Sequence, residues 1–249
     1  MWRSCLGKGW CSEDQNLVFL SRSYKISFKI FIVKQVNEMP IKIYHIVHLD
    51  RLGSILADGY LLSDAIISQR ANNGSMIGLS NIKERRLTKS LNSYPDLHVG
   101  DCVPFYFCTR SVMLYLIYCK NPELAYQGGQ EPIIHLQADF GQVVQWGNKQ
   151  IPRQRWVFTD SNAGSNYFED FNDLSLLNGR VNWDAVRAKY WQESSIKEGK
   201  QAEFLLENAF PWHLIEHIGV HSNSIYQQVA NILQGQHRPK VTVEPTWYY

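Results

Sequence analysis

The chain has 249 residues, of which 45% are hydrophobic and 19% charged, a globular balance with enough material for one sizeable core. Lysine plus arginine (25) nearly cancels aspartate plus glutamate (23), and the net charge of +2 excludes a protein that grips polyanions over a wholly basic surface; any nucleic-acid contact has to be local. The apolar stretches are broken by Lys or Ser well short of the ~20 residues that span a bilayer, and residues 1–8 are not followed by an apolar run with a small-residue cleavage site, so no membrane partner and no export are expected.

Residues 1–40 scatter Cys, Gly, Ser and Lys among apolar positions, with a possible strand at 26–33, and read as a poorly ordered extension; Met39 offers an alternative start, so that this segment need not be translated. From residue 41 the pattern sharpens. Ile43, His45 and Val47 alternate as a strand, and Leu49, Leu52, Ile55 and Leu56 follow at helical spacing until Gly59. Asn72, Asn73 and Gly74 are turn chemistry, and residues 82–87 form a charged helix or ordered loop. A buried strand is expected at 103–108, with Ser111 as N-cap of a helix over 112–118. Gln127-Gly128-Gly129 marks a turn before a strand at 132–136, and residues 156–158 give another short strand. Residues 160–182 are rich in Asn, Ser, Asp and Gly; a helix then starts at Asn182, and a strand carries Glu203. A strand around Ile218 and Val220, a helix over 222–233 and a last strand at 241–243 complete the order. Strands and helices mix without a regular βαβ beat, which predicts an α+β fold.

Five cysteines, at 5, 11, 102, 108 and 119, show no CxxC spacing and suit a reduced, cytoplasmic protein. His45 with His48, and His213 with His217 and His221, have spacings found in metal sites, but no HExxH-type partner accompanies them, so no metal is expected. No GxGxxG or GxxxxGK[ST] loop is present.

Glu203 is the most informative residue, a carboxylate in an otherwise apolar stretch. Read as a continuous strand, residues 201–204 place Gln201 and Glu203 on one face and Ala202 and Phe204 on the other. On pattern alone Glu203 serves a solvated sheet face as well as it serves catalysis. The catalytic version has chemical content: a fixed carboxylate stabilises the oxocarbenium-like charge that develops when a ribosyl bond breaks. His45 can donate a hydrogen bond to a ribose hydroxyl or a carboxamide, although a histidine among Ile and Val reads by itself as a satisfied core residue. Arg85 and Arg86, with Lys83 and Lys89, pair with a diphosphate or a nucleic-acid backbone, or form a solvated helix face. Phe105, Tyr106, Phe107, Met113 and Tyr115 read mainly as core, with one or two left to line a pocket.

Eight segments in order carry a resemblance: YHI at 44–46, IKERR at 82–86, DCVPFYFC at 101–108, RSVMLY at 110–115, YQGGQEPI at 126–133, FTD at 158–160, KQAEF at 200–204 and FPW at 210–212. Together they resemble the DarT family, DNA ADP-ribosyltransferase toxins of bacterial toxin–antitoxin systems, over residues 41–249. The resemblance implies an ADP-ribosyltransferase (PARP-like) fold, a split mixed β-sheet with surrounding helices. It implies NAD as co-substrate, single-stranded DNA as acceptor with thymine as the modified base, and a DarG-like macrodomain antitoxin as partner. It makes Glu203 the catalytic glutamate and Arg86 a second catalytic residue that contacts NAD and activates the base. His45, Ile46 and Val47 match the tripeptide at the nicotinamide end, and Ser54 and Leu62 align with further NAD contacts. Residues 71–91 would form the NAD-binding element and residues 162–203 the loop region that presents DNA. Thr109 stands where the family often has proline, and Asn162 where its polar side chain varies. An RNA or protein acceptor, a catalytically silent NAD- or nucleic-acid-binding module and a histidine-based metal hydrolase are the competing readings.

Overall fold

The alternation at residues 43–47 produces strand β1 (Lys42–His48). The computed structural model describes residues 40–70, 74–233, 235 and 237–249, and the compact unit among them runs Ile41–Tyr249. The expected strand at 26–33, together with Asn72 and Asn73 of the expected turn, lies outside the described residues. After a 3₁₀ turn (Leu49–Arg51), helix α1 (Leu52–Asp58) stops at Gly59, whose φ of 71° is the left-handed conformation that glycine adopts without penalty. Then come β2 (Tyr60–Leu62), α2 (Asp64–Ile67), α3 (Ser80–Thr88) and β3 (Cys102–Tyr106). Helix α4 (Val112–Tyr118) begins where the Ser111 hydroxyl accepts from the Leu114 N–H at 3.2 Å. Next are β4 (Ile133–Asp139), α5 (Phe140–Lys149), β5 (Trp156–Thr159) and β6 (Asp170–Phe171), followed by the short helices α6 (Leu177–Arg180), α7 (Trp183–Arg187) and α8 (Ser194–Gly199). Strands β7 (Glu203–Glu207), β8 (Ala209–Pro211) and β9 (Ile215–Val220), helix α9 (Asn223–Ile232) and β10 (Lys240–Val243) complete the described elements.

Eight strands form one sheet in the order β10-β9-β4-β1-β3-β7-β5-β6, and β2 pairs with β8 in a separate ribbon. Only the β10–β9 pair is parallel, so the sheet is mixed and the fold α+β, as expected. The split lies between β1 and β3. β1 pairs with β4 over seven residues but meets β3 at one position, Tyr44 opposite Tyr106. Pro104 is the physical reason: it has no N–H to offer β1, and its carbonyl is taken by the His45 ring, Nδ1 to O 2.8 Å. Past Tyr44, β1 therefore keeps one edge without a strand partner, and a cleft opens there.

Both faces of the sheet are covered. Ile43 and Val47 face the larger core with Phe105, Phe158, Phe204 and Phe210; Ile46 faces a second cluster with Leu114, Ile117 and Tyr248. Helix α5 was absent from the sequence reading. It is capped by Asp139, which accepts from the Gln142 N–H at 2.9 Å, and it lays Phe140, Val143, Val144 and Gly147 on the larger core.

Candidate active site

Strand β7 begins at Glu203 itself. Helix α8 runs to Gly199 with Lys200 still helical as its cap, and the N–H groups of Gln201 and Ala202 bond back to the carbonyls of Glu198 and Gly199, so residues 200–202 form a turn and not a strand. The alternation expected from residue 201 onward is therefore not what places Glu203. The residue is 1% exposed, which removes the solvated-face reading. Its backbone N–H donates to Thr159 Oγ1 at 2.9 Å, and the Thr159 hydroxyl donates onward to the Ser161 carbonyl at 2.6 Å. The carboxylate accepts from three donors: the Ala163 N–H (3.2 Å) and Arg86 Nη1 (3.1 Å) on Oε1, and Arg86 Nη2 (2.9 Å) on Oε2. A buried carboxylate so held is fixed in place, as an electrostatic catalyst has to be.

Arg86 comes from α3 and is 8% exposed, whereas Arg85 points outward to Asn166. The run that reads as a solvated face thus has one arginine turned inward. Gly100 sets how close α3 lies to the sheet: a Cβ there would stand 2.8 Å from the Leu87 Cα. Burial pushes the Arg86 guanidinium down, but the Glu203 carboxylate more than reverses this and holds it above its ordinary range. Arg86 is a permanent cation and does not accept a proton.

The cleft at the split contains about 180 Å³ of free space. His45, Ile46 and Val47 form one wall, Leu62 and Tyr106 line it, and Arg86 and Glu203 stand at the same cleft. Ser54 does not: it is exposed on α1, and its hydroxyl donates to the Arg51 carbonyl at 2.9 Å. Because a carbonyl only accepts, the bond to Pro104 puts the His45 proton on Nδ1 and leaves Nε2 as an acceptor. Burial pushes His45 down to about 4, so the ring is neutral at pH 7 and its free nitrogen is an acceptor, not the donor expected from the sequence.

Of the aromatic and methionine candidates, Tyr106 and Met113 line the cleft. Tyr106 faces the cleft while Phe105 and Phe107 enter the core, a sorting that the period-two pattern of β3 carries. Arg51, Asp64 and Met113 also line it, and Asn162 bridges to Gln201 at its mouth, Nδ2 to Oε1 3.0 Å. Nothing local in the sequence marks Arg51 or Asp64. Among the described residues no group of three or more His, Cys, Asp or Glu side chains gathers to hold a metal ion, and no helix is long and apolar enough to cross a membrane.

Residues 44–249 match the family model described as ssDNA thymidine ADP-ribosyltransferase, DarT. The chain belongs to the DarT family. It is 39% identical over 221 residues to the DNA ADP-ribosyl transferase of Thermus sp. (strain 2.9), covering 87% of this chain and 100% of that relative. Identity to the DNA ADP-ribosyl transferase of Mycobacterium tuberculosis (strain ATCC 25618 / H37Rv) is 26% over 216 residues, covering 83% and 88% of the two. The fold resembles Thermus sp. 2.9 DarT in complex with ADP-ribosylated ssDNA, with a TM-score of 0.76 and 38% identity over 84% of this chain and 97% of that one. For Thermus sp. 2.9 DarT in complex with NAD+ the TM-score is 0.71 and the identity 37%, over 84% and 98%. The DarT-family ADP-ribosyltransferase fold expected from the resemblance is therefore the fold of this chain.

Proposed function

We propose that the cleft transfers ADP-ribose from NAD to a thymine base in single-stranded DNA, releasing nicotinamide. The observation that carries this is the buried Glu203 carboxylate, gripped by Arg86 at the cleft where β1 and β3 part. The residues present fit NAD. The open edge of β1 at residues 45–47 offers backbone donors and acceptors to a carboxamide, Ile46, Leu79 and Met113 are apolar neighbours for a ring, and cationic side chains suit a diphosphate. NAD supplies the ribosyl group and the leaving group. Glu203 stabilises positive charge at the ribosyl carbon, from a position set by Thr159 and Ala163 before any charge develops. His45 accepts from a ribose hydroxyl and orients the sugar. Arg86 stabilises the anion left when the thymine N3 loses its proton, an electrostatic role that its permanent charge permits. Ser54, exposed and outside the cleft walls, has at most a peripheral NAD contact.

DNA fits a second groove beside the first, where Tyr167 (91% exposed), Phe168 and Lys89 stand with Arg180, which is paired to Glu169 at 3.3 Å, and with Asp160 and Glu198; Lys89 Nζ lies 5.5 Å from the centre of the Phe168 ring. Exposed aromatic rings beside Lys89 suit the stacked bases of a single strand. Residues 41–249 are the catalytic unit in this reading, acting as a toxin in the bacterial cytoplasm, with a DarG-like macrodomain as the antitoxin that removes the modification. The test offers NAD with thymine-containing single strands, thymine-free single strands, RNA and protein, using the full chain and one beginning at Met39. Modification of the thymine-containing strand alone, by both chains, is expected; modification of RNA or protein instead would overturn the assignment.

A further inference from the structure

The cleft holds three cations, and two of them are already paired. Arg86 binds both oxygens of Glu203, and Lys83 Nζ reaches Asp64 Oδ1 at 2.8 Å. Arg51 is different. It lies on the turn directly after β1, lines the same cleft, and is half-buried, yet its Nε is buried with no hydrogen-bond partner. Among the described residues no carboxylate pairs with it. The acidic side chains nearest in sequence or in the cleft are committed elsewhere: Asp50 to the Ser75 N–H (3.1 Å) and hydroxyl (2.7 Å), Asp58 to Arg70 (2.6 Å), Asp64 to Lys83 and Glu203 to Arg86. Arg51 Nη1 faces only the sulfur of Met76, at 3.9 Å, a weak acceptor.

The side chain is nevertheless held. Its Cγ would stand 2.9 Å from a Cβ at Gly74, so the stem packs against bare backbone there, and Asp50 fixes the adjoining segment by accepting from the Ser75 N–H at 3.1 Å. A structural arginine in such surroundings is paired, and a solvated one is exposed. Arg51 is neither, and burial pushes its pKa down against the more distant pull of Asp64 and Asp50. Three cations against two carboxylates leave the cleft lining one positive charge in excess, and that excess resides on the unpaired guanidinium.

We infer that Arg51 is the residue that anchors the diphosphate of the NAD substrate, its planar fork donating to phosphate oxygens in the cleft. This rests on the reading that the cleft binds NAD. A guanidinium suits the task because it matches two phosphate oxygens at once, which an ammonium does not. Arg51 contributes to substrate binding and takes no part in the chemical step, so its loss raises KM and leaves kcat nearly unchanged.

Direct titration of the full chain tests this, with NAD, ADP-ribose and nicotinamide riboside, which lacks the diphosphate, as probes for wild type, Arg51→Gln and Arg51→Lys. Removing a charged donor is expected to weaken NAD and ADP-ribose roughly ten- to hundredfold in Arg51→Gln, with Arg51→Lys intermediate and the riboside unchanged. Arg51→Lys keeps the charge and the stem, so it carries the test if the glutamine variant folds poorly. NAD and ADP-ribose affinities within about twofold of wild type in the variants would overturn the inference while leaving the NAD reading intact, as would an equal loss for the riboside. A wild-type chain that binds NAD not at all would overturn both.

Discussion

Glu203 and Arg86 each cost several kcal/mol to bury alone, on the order of what their mutual contact returns, so the pair is a poor device for stability and a good one for holding charge at a cleft. The two partners respond differently when removed singly or together. Arg86→Ala strands a buried carboxylate with the Ala163 N–H as its remaining donor, and is expected to lower unfolding free energy by about 3–5 kcal/mol in denaturant titration. Arg86→Met combined with Glu203→Leu removes both charges and is expected to fall within about 1 kcal/mol of wild type while losing all activity. A double variant as unstable as the single one would contradict this account of the pair. His135 and His45, both pushed down to about 4 by burial, share the pH response. His135 is fully buried, its Nε2–H donates to the Thr109 carbonyl at 2.9 Å, and its Nδ1 has no partner, so a second proton has nothing to bond to. Burial pushes its pKa down to about 4, below the unfolded value, so the unfolded chain binds the proton more readily. The contribution is complete above pH ~6.5 and is lost as pH falls toward 4, about 2–3 kcal/mol by pH 4.5. Unfolding measured at pH 7.5 and 4.5 checks it; because His45 is depressed equally, His135→Phe is expected to remove roughly half of the difference.

Among the elements, helix α3 is the one whose position the site depends on, because it alone carries Arg86. At Gly100 an added Cβ would meet the backbone of Leu87 at 2.8–2.9 Å, and backbone cannot rotate out of the way. Gly100→Ala is therefore expected to displace α3, cost about 1–3 kcal/mol and loosen the Arg86–Glu203 contact, lowering transferase activity at least tenfold. Unchanged melting and activity would show that α3 is not clamped there. Elements whose ends are written in local chemistry were legible in the sequence: Gly59 stops α1, Ser111 opens α4, Asn182 opens α7 and Ser222 opens α9. Helix α5 is legible too, with Asp139 before Phe140, Val143, Val144 and Gly147 at i, i+3, i+4 and i+7, once the preceding strand is carried to Asp139. The inward turn of Arg86 was not legible from its neighbours, since a charged helix with no apolar stripe looks solvated on every side.

At the scale of the whole molecule, function follows from where the sheet fails to close. A proline in β3 and a histidine ring from β1 keep two central strands apart, and Glu203, 117 residues beyond Arg86, completes the cleft from the next strand. No periodicity read along the chain reports a pairing over that separation, which is why Glu203 and Arg86 stood as separate candidates until eight ordered motifs linked them to one family. The near-neutral charge leaves any nucleic-acid contact to a local groove. The central claim, that Glu203 stabilises the charge developing at the ribosyl carbon, is tested most directly by intact mass of a thymine-containing single-stranded oligonucleotide incubated with NAD and either wild type or Glu203→Gln. The glutamine keeps the shape and loses the charge, so the account predicts one ADP-ribose added by wild type and a rate at least about a hundredfold lower in the variant. An adduct formed at the same rate by Glu203→Gln would contradict it.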